Sequence, residues 1–252
     1  MNPRAGNRGD AEIIGHRGYP ARFPENTLPS LEGALEAGCR FLEWDLHVTA
    51  DGVPVVFHDD TLERTTDGEG LLRDRTLAEL KELDAGSWFD PRFRDTPIPT
   101  LEEALRGPGR RAEGIYPEVK RVNDPGDLEK ILDQIRAADL LNRTVLISLD
   151  FGLLEGFRKL EPGVRLGWVV GREEDMEGAI RTVAEDGLGV LIPDYRFLLA
   201  NRVRTRDLVA RGMELGTWTV DDPGDAEALM ELGVRRITTN RAGELLRWAA
   251  GR

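Results

Sequence analysis

The sequence predicts an α/β chain folded as a (β/α)8 TIM barrel, with a small insertion (a cap) after the second strand. Three observations carry that expectation. From Thr100 onward, strand-like runs at Ile115–Lys120, Thr144–Leu149, Arg165–Val170, Gly189–Pro193, Glu214–Val220 and Arg235–Thr239 alternate with helix-like stretches. Two strand candidates near the N-terminus bring the count to roughly eight strand–helix units, and 252 residues is the measure of one such barrel. No Gly-x-Gly-x-x-Gly follows any of these strands, which argues against a doubly wound open sheet.

In chain order, Met1–Asp10 lacks the apolar core of a signal peptide and reads as a disordered lead-in to a single catalytic domain spanning 1–252. Ala11–Gly15 is a short apolar run, a buried first strand that delivers His16 and Arg17 into a loop with Gly18. Asn26 or Thr27 can cap the next helix, Pro29 suits its first turn and Gly38 can end it. Leu31, Ala34 and Leu35 give it an apolar stripe.

Phe41–Val48 reads as the second strand, with Glu43, Asp45 and His47 on one side and Leu42, Trp44 and Leu46 on the other. Two carboxylates on one buried face repel each other and lose hydration. A divalent cation with oxygen ligands resolves both costs, although a lone Glu-x-Asp is more often an edge strand facing water. His47 shares their parity and could complete a metal site. Asp51-Gly52 signals a turn, and Val53–Phe57 runs back, bringing His58 near the acids.

Residues 61–96 do not fit a strand–helix unit: the run is polar, carries Gly68, Gly70 and Gly86, and holds Trp88, Phe89 and Phe93. Insertions of this length are often lids over functional sites. Thr100-x-x-Glu103 is a capping box opening a helix. Asn123-Asp124-Pro125-Gly126-Asp127 and Asp221-Asp222-Pro223-Gly224-Asp225 echo each other, each following a strand and opening a helix with Asp as cap.

Composition sets further bounds. A net charge of −12 argues against a nucleic-acid surface, so an anionic ligand must be drawn by local positive charge. No stretch is apolar for long enough to span a bilayer. The one cysteine, Cys39, excludes an intrachain disulfide, which fits the cytoplasm.

The order His16-Arg17-Gly18, Pro24-Glu25-Asn26-Thr27, Glu43-Trp44-Asp45, then Asp51-Gly52 through His58-Asp59, resembles the glycerophosphodiester phosphodiesterase family. The likeness resumes at Ile98–Leu101, Glu118-x-Lys120, Trp218-Thr219 and Ile237–Asn240, so it covers most of the chain. It implies metal-dependent cleavage of a deacylated phospholipid into sn-glycerol 3-phosphate and an alcohol. It further implies that residues 61–96 form a small cap beside the active site, and that the ligands are those of the motif, without His47.

In such barrels the reacting groups gather at the C-terminal ends of strands, where His16, Glu43, Asp45, Glu118, Lys120 and Trp218 fall. Glu43, Asp45 and Glu118 supply three hard oxygen ligands, suited to Ca²⁺ or Mg²⁺ rather than zinc. Arg17 offers a forked donor set for phosphate, and Lys120 a point charge. His16 and His58 have the pKa range to move protons; by resemblance one activates the nucleophile and the other protonates the departing alkoxide. Trp218, with Phe23 and the aromatics of the insertion, is the candidate apolar wall beside the glycerol, with a place in the core as the alternative for Trp218.

One residue departs from the family pattern. Pro117 stands where an aliphatic residue usually precedes the third acid; proline removes a ladder donor and is a signal for a bulge that would re-aim Glu118. Two other readings compete. A barrel phospholipase acting on intact lipid would need an apolar rim, and no long exposed apolar stretch is evident. A non-catalytic barrel binding phosphorylated polyols would have no use for both His16 and His58.

Overall fold

The computed structural model describes residues 11–251; the expected lead-in, Met1–Asp10, lies outside them. In chain order the strands are β1 (Glu12–Gly15), β2 (Phe41–Val48), β3 (Pro54–Val56), β4 (Gly114–Val119), β5 (Val145–Ser148), β6 (Arg165–Val170), β7 (Val190–Pro193), β8 (Glu214–Thr217) and β9 (Arg236–Thr239). All but β3 are parallel neighbours, and β1 pairs with both β2 and β9, which closes the barrel. β3 is an antiparallel return on β2, with Leu46 opposite Val56 and Val48 opposite Pro54.

Helices cover the outside of the barrel, and one short helix lies in the insertion. They are α1 (Leu28–Glu36), α2 (Leu77–Lys81), α3 (Leu101–Ala104), α4 (Gly126–Ala137), α5 (Phe151–Leu160), α6 (Met176–Asp186), α7 (Tyr195–Ala200), α8 (Arg202–Ala210), α9 (Pro223–Glu231) and α10 (Ala242–Ala250). Local signals start and stop them. Of the two candidate caps for α1, Thr27 is the one used: its side chain accepts from the Ser30 N–H, and Gly38 follows the helix at φ +93°. Thr100 and Glu103 complete the capping box of α3. Asp222 caps α9 with Pro223 at its first position. In the matching run before α4, Asp124 accepts from Gly126, and the helix begins after Pro125 rather than at it.

Strand parity divides the core. Leu42, Trp44 and Leu46 face outward and pack with Leu31 and Ala34 of α1 in the layer between sheet and helices. Inside the barrel, Ile14, Tyr116, Val145, Ile147, Val169, Val190 and Ile192 form a second apolar cluster. Gly167 keeps room for it, since a Cβ there would lie 2.6–2.7 Å from Ile192 and Ile147 side-chain atoms. Below this plug, at the N-terminal ends of the strands, Arg236 pairs with Glu12 (3.2 Å) and Glu214 (2.7 Å) and donates to the Tyr116 hydroxyl (3.0 Å).

That network belongs to stability rather than to the opposite, C-terminal mouth. Arg236→Ala removes a buried side chain with its bonds to Tyr116 and both carboxylates, but Glu12 keeps the Tyr116 hydroxyl and the half-exposed Glu214 keeps Arg165, so the loss should be about 2–3 kcal/mol, below that for a fully buried pair. Thermal unfolding should then fall by about 5–10 °C. Turnover per folded molecule at 25 °C should stay as in the unaltered protein; a fall in turnover without a fall in melting temperature would contradict this separation.

Residues 61–96 build a small unit of their own. Leu62, Leu72, Leu80 and Ala85 bury themselves with Val55, Phe57 and Ile98 in a third apolar cluster, separate from the barrel layers. Among the described residues no helix is long and apolar enough to cross a membrane.

Candidate active site

The loop after β1 is shaped by its backbone. His16 continues the sheet by donating its N–H to the Thr239 carbonyl (3.0 Å). Arg17 and Gly18 then take positive φ (+52° and +87°). Only glycine fits at 18, because a Cβ would fall 2.4–2.5 Å from Ser30 atoms. Ser30 locks the turn: its hydroxyl donates to the Arg17 carbonyl and accepts from the Tyr19 N–H, both at 2.8 Å.

β2 and β4 carry the acids. They run in parallel with Asp45 beside Glu118 and Glu43 beside Tyr116, so the three carboxylates converge inside the barrel mouth. One oxygen from each of Glu43, Asp45 and Glu118 lies within 4.8 Å of the others, and all three residues are buried. Glu43 Oε1 and Asp45 Oδ1 have no hydrogen bond, and buried acceptors left in that state are costly. Burial, then repulsion from Asp45 and Glu118, drives Glu43 well above the usual carboxylate range. Glu118 is raised by burial and by Asp45. Burial alone would raise Asp45 too, but Arg17 and Lys120 hold it down at about 2. An all-oxygen, buried, mutually repelling trio, in which Glu43 Oε1 has no hydrogen bond and Asp45 Oδ1 has only the Lys120 ammonium beside it, fits a hard divalent cation.

Cations rim the trio. Lys120 Nζ sits 2.8 Å from Glu118 Oε1 and 3.4 Å from Asp45 Oδ1. Arg17 Nε lies 3.1 Å from Asp45 Oδ2, and its Nη1 donates to Glu25 (2.7 Å). The Arg17 backbone N–H donates to Glu43 Oε2 (2.7 Å).

The two outer histidines are held differently. Asp221 accepts from the Asn240 side-chain amide (2.9 Å), which turns Asn240 Oδ1 toward His16 Nδ1 (2.7 Å). Nδ1 must therefore carry the proton, and Nε2, 4.0 Å from Glu43, carries the lone pair. Burial, with Arg17 next, lowers the His16 pKa to about 4, so the ring is neutral at ordinary pH. His58 Nδ1 meets Asp59 at 2.5 Å, which leaves its Nε2 for other partners.

The glycerophosphoryl diester phosphodiesterase family profile matches residues 16–244, which takes in every one of these groups. The chain belongs to that family. It is 34% identical over 232 residues to a glycerophosphodiester phosphodiesterase of Caldanaerobacter subterraneus subsp. tengcongensis, covering 90% of this chain and 93% of that one. A Bacillus subtilis glycerophosphodiester phosphodiesterase is 32% identical, covering 90% and 82%. Among solved structures, an Oleispira antarctica phosphodiesterase in complex with the product sn-glycerol-3-phosphate superposes with a TM-score of 0.85 at 28% identity, covering 96% of this chain and 97% of that one. The reaction class of this chain is the hydrolysis of glycerophosphodiesters, with a small molecule as substrate.

Within this family site several expectations are refined. His47 points elsewhere: it is buried and its Nε2 donates to the His58 carbonyl (2.9 Å), so it holds the backbone of the second histidine rather than joining the acids. Pro117 makes no bulge. Trp44–Pro117 and Asp45–Glu118 stay in register, and the missing N–H falls on the side of β5, where the strand pairing is sparse. Trp218 lines a small cavity with His16, Glu43, Glu118 and Thr238, its indole N–H donating to the Ile192 carbonyl (3.2 Å). Phe23 does not share that wall; it packs on Tyr19 and Phe93 and lines a different depression with Arg22 and Arg92.

Sequence reasoning passed over Asn26, Asn240 and Asp221 as site groups. Asn26 receives the Asp45 N–H and donates to Asp45 Oδ2 (2.8 Å). Its position beside Thr27 made it look like a helix cap only. Asn240 was legible from parity, two residues beyond Thr238 at the end of β9.

Proposed function

We propose that the chain is a divalent-metal-dependent glycerophosphodiester phosphodiesterase that releases sn-glycerol 3-phosphate and an alcohol. Glu43, Asp45 and Glu118 are its metal ligands and Ca²⁺ or Mg²⁺ its ion. The observation that carries this reading is the buried carboxylate trio bordered by two histidines, one held at Nδ1 by a neutral amide oxygen and the other by a carboxylate. When bound, such an ion supplies Lewis-acid polarisation of the phosphoryl group.

The chain's own groups do the rest. Arg17 and Lys120 bind the anionic phosphodiester and meet the charge that grows on its oxygens. His16 is the base: its Nε2 lone pair takes the proton of the attacking hydroxyl, either of water directly or of the glycerol 2-hydroxyl, which would give a cyclic phosphate that water then opens to sn-glycerol 3-phosphate. His58 is the acid: Nε2–H passes its proton to the leaving alkoxide as the P–O bond breaks, while Asp59 supports the charged ring. Trp218 gives the glycerol an apolar wall. We read residues 1–252 as one catalytic domain and residues 61–96 as its cap. The buried Cys39 thiol, pushed up to about 11 by burial, is inert and fits a cytoplasmic setting.

The test is incubation of the purified protein with glycerophosphocholine, with and without a chelator, followed by assay of sn-glycerol 3-phosphate. Release that stops with chelator and returns with Ca²⁺ or Mg²⁺ is the expected result. No release under any metal, or release of another phosphoester, would overturn the reading.

A further inference from the structure

We propose that Arg64, supplied by the insertion, is a positioning residue whose single guanidinium aims both the acid and the phosphate-binding sides of the site. The inference rests on the reaction assigned above. Arg64 Nε donates to Asp59 Oδ2 (2.5 Å) and Nη2 to Asp59 Oδ1 (3.0 Å). On its other edge, Nη1 donates to Glu25 Oε2 (3.0 Å) and Nη2 to Glu25 Oε1 (2.8 Å). Both carboxylates are thus held in the forked geometry that only arginine offers.

Each carboxylate has a second duty inside the site. Asp59 Oδ1 meets His58 Nδ1, and Glu25 Oε1 accepts from Arg17 Nη1. Arg17 in turn reaches Asp45. The result is one line of alternating charge, His58–Asp59–Arg64–Glu25–Arg17–Asp45, joining the loop after β1, the segment after β3 and the insertion. Arg64 is its only member from residues 61–96 among these.

The line matters for aim more than for stability. The Arg64 side chain is 45% exposed, while Asp59 and Glu25 are 23% and 13% exposed. Exposed ion pairs contribute little to folding. Its geometric consequences are larger. With two forked bonds, Asp59 cannot rotate away from His58 Nδ1, so His58 Nε2 stays directed at the leaving oxygen. Glu25 is shared between two cations; without Arg64 it would bind Arg17 alone, and draw that guanidinium off the phosphate. Misplacement of a reacting group by about 1 Å is enough to cost on the order of 10²-fold.

Two substrates separate these effects from a general loss of structure: glycerophosphocholine, whose alcohol needs a proton to leave, and a nitrophenyl glycerophosphodiester, which does not. In the metal-loaded enzyme, Arg64→Ala should lower kcat on glycerophosphocholine by about 10–100-fold, the range for groups that orient a reacting residue. kcat on the nitrophenyl ester should fall far less, by only the share that comes through Arg17, and KM should rise for both as Arg17 is drawn aside. Arg64→Lys should behave like Arg64→Ala, because an ammonium cannot fork two carboxylates. Adding Asp59→Asn to Arg64→Ala should lower kcat on glycerophosphocholine by less than the product of the two single losses, since both groups act on His58.

If Arg64→Ala does not fold, Arg64→Lys alone carries the test. Equal kcat losses on both substrates, full activity of Arg64→Lys, or additive losses with Asp59→Asn would overturn the proposal. Failure of the unaltered enzyme on both substrates would instead overturn the assigned reaction.

Discussion

His16→Ala should lose on the order of 10²–10⁴-fold in rate on every glycerophosphodiester, whatever the leaving alcohol. The expectation follows from the hydrogen bonds: Asp221 fixes Asn240, Asn240 fixes the proton on His16 Nδ1, and Nε2 is left as a base beside Glu43. Its low pKa keeps it neutral down to about 4, so it needs no prior deprotonation near neutrality. His58→Ala should lose as much on glycerophosphocholine, because a choline alkoxide is a poor leaving group. On a nitrophenyl ester it should retain most of its activity, since a nitrophenolate departs without a proton. Single-turnover rates of both variants on both substrates test the assignment. The reverse pattern would exchange the two roles, and equal losses throughout would mean that the histidines do not act as a separate base and acid.

Removal of divalent metal should be at least as damaging. Lewis-acid stabilisation of a phosphoryl transition state is worth several kcal/mol, and each 1.36 kcal/mol is tenfold, so activity should fall by about 10³-fold or more after EDTA. Folding should respond as well, because the trio is a repelling, buried set that a cation relieves. At 100 times its dissociation constant an ion that binds only the folded state adds about 2.7 kcal/mol. For a chain of this size that is about 5–10 °C in melting temperature. Glu43→Gln should abolish both the metal-induced shift and the activity. His47→Ala should still show the metal-induced shift, since that ring faces the His58 carbonyl. Full activity in a protein shown by elemental analysis to be metal-free would sink the metal assignment.

The parts of this protein that depend on neighbours along the chain were legible in its sequence. Strand parity put Glu43 and Asp45 on one side and Leu42, Trp44 and Leu46 on the other, because side chains alternate whatever the strand packs against. The capping box Thr100–Glu103 and the Asp222–Pro223 start declared their helices, since a cap is satisfied within a few residues. The motif order carried the family and the principal candidate residues, including Glu118 from 73 positions beyond Asp45 in a strand registered directly beside it.

What the sequence left open depends on distance in space. Whether His47 turns to the acids or to a backbone carbonyl is a choice of rotamer made by β3 and the segment after it, not by parity. Proline at 117 leaves a gap in the ladder to β5, between Ile115–Thr144 and Glu118–Ile147, while the register with β2 that aims Glu118 is untouched, and which of the two neighbours loses the N–H is set only by the assembled sheet. Asn240 and Asp221 became supports of His16 only when β9 came to lie beside β1, more than two hundred residues away in sequence. No sequence signal singles out Arg64 within the polar insertion; folding placed Asp59 and Glu25 on its two edges. Local chemistry fixes which way a side chain faces and where an element starts, but a hydrogen bond or ion pair between distant segments exists only once closure of the barrel has brought both partners within about 3 Å.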